Sequence, residues 1–443
     1  YGAFQIYSYG YGDLYVHHQW IYGLIEGKIF EGGVYPQAMH CFIYCMHTLF
    51  GIRVYSILLF LQVIHVSIFF AAAYLLLRKI FCWRYTPIFV LVLFLILDLC
   101  NADLIHSMFR LQITLPLEFG LHTVFLCGLH LMNYFDEKCF DTTKRYWDEN
   151  LFLFAISLST GIMTHFHTAL MGLIFCISVI VIALKKIFCR RYFIPLAVWA
   201  FSSCLIAGIP MAGALARGIP LSSSIHWAVD TMSGEQSREQ RGQNEEIDSS
   251  QEESGELQNI ERNDISITAG LLNRVIWIYE KGYGALYGKE RGGWMFLFTL
   301  LAAVFCWMMK RKAYLQYFAE KCRRYPYAII VSVLYILVYA APMMGLPDII
   351  PEGRFFAAGH MMLLAVMVMP MDAALFSMLY FCSDLRVRII TLLSCLGIYG
   401  ITVETGNFRG FLYYELSRYN AAAMVTESII NTFPQHSYTI VSP

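Results

Sequence analysis

The sequence has little charge and no obvious framework of paired cysteines. Only 14% of its 443 residues are charged, against about 25% in ordinary soluble domains, and 58% are hydrophobic. The net charge is zero, so nothing suggests nucleic-acid binding. None of the 13 cysteines forms a C-x-x-C pair, and most sit in or beside apolar runs as small buried side chains. These deficits exclude a soluble globular domain and predict an integral membrane protein.

The sequence begins at Tyr1, and no long apolar run precedes residue 54. We expect a fragment or a processed chain, without an N-terminal helix and a C-terminal domain that a longer form would carry. No internal repeat and no coiled-coil heptad is visible.

Apolar runs long enough to approach the thickness of a bilayer predict an all-α, polytopic bundle of about ten transmembrane helices. The predicted spans are 54–77, 87–101, 116–134, 151–163, 168–184, 193–213, 293–309, 326–343, 357–371 and 387–403. The run 151–163 is short enough to be a half-helix.

Lysine and arginine lie in alternate loops of this ten-span arrangement. The five basic clusters fall within 78–84, 138–145, 185–191, 310–324 and 386–388, all on one side. The positive-inside rule makes that side cytoplasmic. We therefore predict a multi-pass protein of the cell membrane, most naturally a bacterial plasma membrane.

The opposite, extracytoplasmic side would hold every other connecting region. The organisation predicted is a loop with surface helices (1–53), transmembrane helices (54–213), a long loop (214–292), transmembrane helices (293–403) and the start of an outer C-terminal region (404–443). Within the long loop, residues 231–264 are almost without apolar side chains and rich in acidic ones. Such a segment predicts a disordered insertion, with an acidic tether as the functional alternative.

The first of four polar clusters on the outer side begins at Asp13. If this stretch is helical, Asp13, His17 and Trp20 share one face, and His18 lies beside them. A carboxylate facing a cleft can act as a general base, whereas the plainer alternative is that Asp13 caps a surface helix. The glycine pair 32–33 and a proline then break the helix, and 37–50 predicts a second short helix on the membrane surface.

The second cluster follows the second predicted span. It contains Asp98, Asp103 and Arg110. Ionisable groups at a membrane boundary are costly and are candidate functional residues, although a solvated loop between two helices explains them equally well.

The third and fourth clusters carry two histidines and an arginine. His165 and His167 lie between two apolar runs and could bind a metal or a phosphate, but no local carboxylate or cysteine completes a zinc site; a hydrogen-bonded hairpin tip is the alternative. Glu352 and Arg354 precede a late span, where a guanidinium can grip a phosphate with two hydrogen bonds or extend to the lipid headgroups.

In this order, the clusters resemble the GT-C superfamily of polyprenyl-phosphate-dependent membrane glycosyltransferases. The resembling segments are Asp13 with Tyr35-Pro36-Gln37-Ala38-Met39-His40, Asp98 or Asp103, Thr164-His165-Phe166-His167-Thr168, Glu352-Gly353-Arg354-Phe355, and Tyr419-Asn420-Ala421-Ala422-Ala423. No WWDYG-type signature is present, which disfavours an oligosaccharyltransferase. The resemblance covers most of the chain by architecture but only short patches by motif.

The resemblance implies transfer of a sugar from a polyprenyl-phosphate donor to a glycan, lipid or protein acceptor at the outer membrane face. Asp13, Asp98 and Asp103 would be the catalytic carboxylates, with Asp13 deprotonating the acceptor. Arg354, with Arg110 or a histidine, would stabilise the leaving phosphate. No cofactor is required, although a divalent ion such as Mg²⁺ or Mn²⁺ is compatible with the site.

Two other function classes remain open. A transporter or flippase of a lipid-linked substrate would also place charges near broken helices, but these charges cluster at one face rather than at mid-membrane. A non-catalytic scaffold for cell-envelope assembly would use 231–264 as its tether.

Overall fold

The computed structural model describes residues 13–100, 107–136, 147–223, 322–339, 352–378 and 388–393, with isolated positions elsewhere. In this part of the chain, the secondary structure is helical, apart from one isolated bridge between Val34 and Leu221. The all-α prediction is therefore confirmed. The predicted insertion 231–264 and most of 404–443 lie outside the described residues.

The named helices of the described residues are numbered here in chain order. They are α1 (Asp13–Ile25), α2 (Ala38–Phe50), α3 (Val54–Ile80), α4 (Thr86–Cys100), α5 (Ser107–Leu111), α6 (Pro116–Asp136), α7 (Glu149–Thr164), α8 (Phe166–Ile182), α9 (Leu184–Ile187), α10 (Arg190–Ala216), α11 (Tyr325–Tyr339) and α12 (Glu352–Met378). A single 3₁₀ turn, Cys322–Arg324, precedes α11.

The two short N-terminal helices form as the sequence predicts. The second ends where Gly51 adopts a left-handed conformation (φ 66°) and its N–H bonds to His47 O, which satisfies an orphan carbonyl of the last turn. Buried side chains of α1 and α2, including Leu14 and Ile43, join Leu58 of α3 in a small hydrophobic cluster. The short helices are thereby fixed to the end of α3.

Helix α6 occupies the centre of the main bundle. It packs against α3, α7 and α8, while α11 packs against α8 and α12, and α12 also contacts α4. The main hydrophobic core runs through these helices and contains Phe125 and Phe175, whose ring centroids lie 5.6 Å apart. A rigid centre of this kind holds the ends of α6 in fixed positions.

Among the three long apolar helices, α10 is the most exposed and α12 is the most buried. Most of α12 is inside the bundle, including Met362 and Leu364, whereas α10 exposes large apolar side chains such as Phe201 and Ile209. An apolar helix that is exposed rather than buried is expected to face lipid.

The number of membrane-spanning helices needs correction. In the part of the chain that the structure describes, three helices are long and apolar enough to cross a membrane, at 54–80, 190–216 and 357–376, rather than about ten. These three support a membrane protein.

Two of the predicted spans form helices that are shorter than a bilayer core. Helices α7 and α8 have 16 and 17 residues. A 17-residue helix is about 26 Å long, less than the hydrocarbon core of about 30 Å. Helices α4 and α11 each end at the edge of the described residues. Helix α6 has 21 residues but carries Glu118, two histidines and Asp136. The spans 293–309 and 387–403 fall mostly outside the described residues.

The basic clusters predicted to share one side do meet at one end of the bundle. Lys79 contacts Asp136, as do Arg323 and Arg324. Lys186 donates a hydrogen bond to the carbonyl of Phe135. We call this region the basic end. It contains Lys79, Asp136, Lys186, Arg323 and Arg324, together with Asp372. Four of the five clusters contribute here, because Arg84 and Arg388 both lie over the Tyr85 ring.

Asp372 of α12 organises the turn between α3 and α4 at this end. Its fully buried carboxylate accepts hydrogen bonds from Cys82 N (2.8 Å), Trp83 N (3.0 Å) and Thr86 Oγ1 (2.5 Å), and from the Tyr325 hydroxyl. Four donors around one carboxylate satisfy a charged group that would otherwise be costly to bury.

Candidate functional site

At the end of α6 remote from the basic end, four parts of the chain line an open cavity of about 430 Å³. The length of α6 between Glu118 and Asp136 is about 27 Å, at about 1.5 Å per residue. The lining residues are Asp13, Val16, His17, Trp20, Tyr35, Arg110, Leu115, Pro116, Leu117, Glu118, His165, Phe166 and Ser223. Three of the four predicted clusters therefore contribute side chains to one cavity, which we call the cavity end.

One face of α1 supplies a carboxylate and an aromatic wall. Asp13, His17 and Trp20 all line the cavity, as their spacing predicts. The rings of His17 and Trp20 meet edge to face with centroids 5.2 Å apart, and Trp20 lies 5.1 Å from Tyr35. Asp13 is exposed to the cavity while the rings are buried, so the carboxylate is accessible beside a rigid apolar surface.

Behind this wall, His17 pairs with a second histidine. Its Nδ1 lies 3.0 Å from Nε2 of His40, which is fully buried. Burial lowers the pKa of His17 to about 4 and the pKa of His40 well below its usual value, where the neighbouring His17 adds to the effect. Both imidazoles are therefore neutral at pH 7, and one donates a hydrogen bond to the other.

The positive charge in the cavity belongs to Arg110. Its Nε donates to Oε1 of Glu118 at 2.6 Å, and Glu118 is only 1% exposed whereas Arg110 is 31% exposed. Within the part of the chain that the structure describes, Nε is the group engaged, so the two terminal nitrogens of the guanidinium are open to another acceptor. Such a fork fits two oxygens of a phosphate.

Glu118 is the residue that sequence reasoning missed. It sits inside the predicted span 116–134, where it is an acidic residue in an apolar run. The signal that could have revealed Glu118 is that Arg110 lies only eight residues before it in the sequence, since a charge within a membrane usually pairs with an opposite charge.

His165 joins α7 directly to α8. It ends one helix and begins the next in an extended conformation (φ −163°, ψ 141°), and its Nδ1 accepts a hydrogen bond from the backbone N–H of His167 at 3.1 Å. The His165 ring lies 6.1 Å from Tyr35 and faces the cavity, whereas His167 is fully buried and is not a lining residue. The predicted histidine pair is thus split between the cavity and the core.

A backbone bridge closes the cavity on the side of Ser223. Val34 N donates to Pro220 O at 2.8 Å, and Ser222 N donates to Val34 O at 3.1 Å. Gly33 makes this approach possible, because it has φ +90° and an added Cβ would lie 2.8 Å from Ser222 N.

The remaining predicted site residues are not brought to the cavity by described contacts. His18 instead lies against Tyr22, with ring centroids 4.9 Å apart. Asp98 lies in α4, and Glu352 and Arg354 begin α12, but their side chains lie outside the described residues, as does all of Asp103. Their roles stay predictions.

A metal site finds no support in the described residues, where no group of three His, Cys, Asp or Glu side chains is arranged to hold an ion. The cavity combines an exposed carboxylate, a guanidinium held by Glu118 and the neutral imidazole of His17. Comparison with known proteins adds nothing to this: no family model, no curated protein and no solved structure matches the chain.

Proposed function

We propose that this chain is a polytopic membrane glycosyltransferase that resembles the GT-C superfamily and transfers a sugar from a polyprenyl-phosphate-linked donor to an acceptor. The observation that carries the proposal is that Asp13 and Arg110 line one cavity from distant parts of the sequence. In a group transfer, a carboxylate can deprotonate the nucleophile. A guanidinium in the same cavity can stabilise the charge on the leaving group.

In the proposed reaction, an acceptor hydroxyl attacks the anomeric carbon of the sugar. Asp13 takes the hydroxyl proton as the new glycosidic bond forms. The bond between the anomeric carbon and the phosphate oxygen breaks, and the polyprenyl phosphate leaves with the electron pair. The terminal nitrogens of Arg110 stabilise the charge on that phosphate.

The rings of Trp20 and Tyr35, tilted by 57° to each other, offer aromatic faces beside Asp13 that suit the C–H face of a sugar ring. His17 and His40, both neutral, hold Trp20 in place without adding charge to the cavity. Glu118 fixes the orientation of Arg110 through its bond to Nε. Each of these groups supports binding and orientation rather than proton transfer.

The membrane setting belongs to the same proposal. By the positive-inside rule, the basic end would face the cytoplasm and the cavity end the outside of the cell membrane. The exposed apolar side chains of α10 would contact lipid and the polyprenyl tail. Asp98, Asp103, Glu352 and Arg354 complete the site in this proposal, and a divalent metal is compatible with it but not required.

The experiment uses the purified chain in liposomes with a radiolabelled polyprenyl-phosphate hexose and a membrane glycolipid extract as acceptor. Asp13→Asn should lower transfer by about 100-fold or more, the range in which a general base contributes, while donor binding persists. Glu26→Gln is the matched control, because Glu26 is an exposed acid just after the same helix and does not line the cavity.

Three results would contradict the transferase. Full transfer by Asp13→Asn would remove the proposed base. Movement of the labelled donor across the bilayer without a new glycosidic bond would favour a flippase. Unchanged behaviour of Asp13→Asn and Arg110→Gln, together with loss of a bound partner after deletion of 231–264, would favour a scaffold.

A further inference from the structure

At the basic end, three cations surround the carboxylate of Asp136. Asp136 lies 3.1 Å from Lys79 Nζ, 2.7 Å from Arg324 Nη2 and 3.3 Å from Arg323 Nη2. The three cations come from the end of α3 and from the 3₁₀ turn before α11, so the fold assembles them. One carboxylate can neutralise only one of them within the described residues.

Donor groups remain at this cluster after the contacts with Asp136 are made. Arg324 uses Nη1 for the carbonyl of Lys79 and Nη2 for Asp136, and its Nε is buried, so the donors left open to a further anion are those of Arg323. Arg323 is 49% exposed and makes one long contact. The cluster can therefore accept a further anion without losing the bonds that hold it.

We propose that Lys79, Arg323 and Arg324 form a binding site for the phosphate group of an anionic membrane lipid. The cluster lies at the end of α3, one of the three helices able to cross a membrane, and about 27 Å along α6 from Glu118, close to the thickness of a hydrocarbon core. Basic pockets between helix ends at a membrane surface bind phosphate headgroups. Arginine adds paired hydrogen bonds to the attraction between charges.

This proposal is independent of the transferase. It concerns the opposite end of the bundle and shares no residue with the cavity. The lipid would act as a bound structural partner, linking the end of α3 to the start of α11 through its phosphate oxygens. Failure of either proposal leaves the other intact.

The test measures lipid binding to the purified full chain by native mass spectrometry in detergent. Phosphatidylglycerol should bind at least ten times more tightly than phosphatidylcholine, and Arg323→Gln should weaken phosphatidylglycerol binding at least threefold. Lys185→Gln is the matched control, because this substitution also removes one positive charge. Lys185 is exposed at the same end and makes no contact with Asp136. It should bind the lipid as the parent does.

Three outcomes would overturn the site. Equal weakening by Arg323→Gln and Lys185→Gln would show general attraction between charges instead of a site. Equal binding of the two lipids would show no selectivity for the anionic headgroup. Inorganic phosphate that displaces the lipid completely at equal concentration would show that the ligand is a free anion.

Discussion

At the cavity end one guanidinium meets one buried carboxylate, whereas at the basic end one partly exposed carboxylate meets three cations. Arg110 and Glu118 form a specific pair, since Glu118 is almost wholly enclosed. Asp136 is a quarter exposed and keeps two partners if one is lost. Loss of a single side chain should therefore disturb the cavity end more than the cluster at Asp136.

The contrast shows that burial decides the energetic value of a charge more than the number of its partners does. Water screens an exposed pair, so each surface ion pair contributes about 0–1 kcal/mol. A buried charge that loses its partner leaves an uncompensated group, at about 3–5 kcal/mol. Substitutions at matched positions can test this rule within one molecule.

The largest effect should come from Asp372, which lies near Asp136 in the fold but is fully buried. Asp372→Ala leaves four hydrogen-bond donors without their acceptor, at about 1–3 kcal/mol for each buried donor. We expect a large fall in the midpoint of thermal unfolding, followed by tryptophan fluorescence in detergent.

The control is Asp136→Ala at the same end. Removing this partly exposed carboxylate should lower the free energy of unfolding by only about 1 kcal/mol, despite its three cationic partners. Equal falls in the unfolding midpoint for Asp136→Ala and Asp372→Ala would contradict the rule that burial decides.

A second comparison sets the two ends against each other directly. Arg110→Gln removes the cation bonded to a carboxylate that is 1% exposed, so we expect it to lower the free energy of unfolding by about 3 kcal/mol. Arg323→Gln removes one of three cations from Asp136 and should lower it by less than about 1 kcal/mol.

The two variants are compared by denaturant titration in the same detergent. Combining Arg110→Gln with Glu118→Gln should recover part of the loss, because the double variant has no carboxylate at position 118 to leave buried without its cation. A double variant no more stable than Arg110→Gln would mean that the cost does not arise from the carboxylate.

Local features of the fold could be predicted from the sequence because they depend on neighbouring residues. The helix 37–50 ends at Gly51 because glycine accepts the left-handed conformation found there. The shared face of Asp13, His17 and Trp20 follows from helical periodicity alone. Span number was less predictable, because an apolar run does not reveal how long the helix within it is.

The site was harder to predict because it depends on contacts between distant elements. Helical periodicity places His17 and His18 on different faces, since one residue rotates the side chain by about 100°. Which of these faces is buried depends on the packing of α1 on α2, and the sequence alone does not show that packing. Glu118 was hidden by the apolar residues around it. Its role follows only when α5 places Arg110 beside the start of α6.

The smallest expected difference concerns the backbone bridge that closes the cavity. Gly33 and Gly27 both have positive φ, at +90° and +80°, so alanine should strain either position by about 1–2 kcal/mol. Only Gly33 has a close neighbour, because an added Cβ would meet Ser222 N at 2.8 Å while Gly27 has nothing within 4 Å.

Gly33→Ala should therefore destabilise the protein more than Gly27→Ala, and it should separate Val34 from the chain at 220–222. Hydrogen exchange measures this at the amides of Val34 and Ser222, which are bonded across the bridge. We expect faster exchange there in Gly33→Ala alone. Equal exchange in both variants would mean that strain within the glycine turn, and not the close approach of two segments, governs how firmly the cavity is closed.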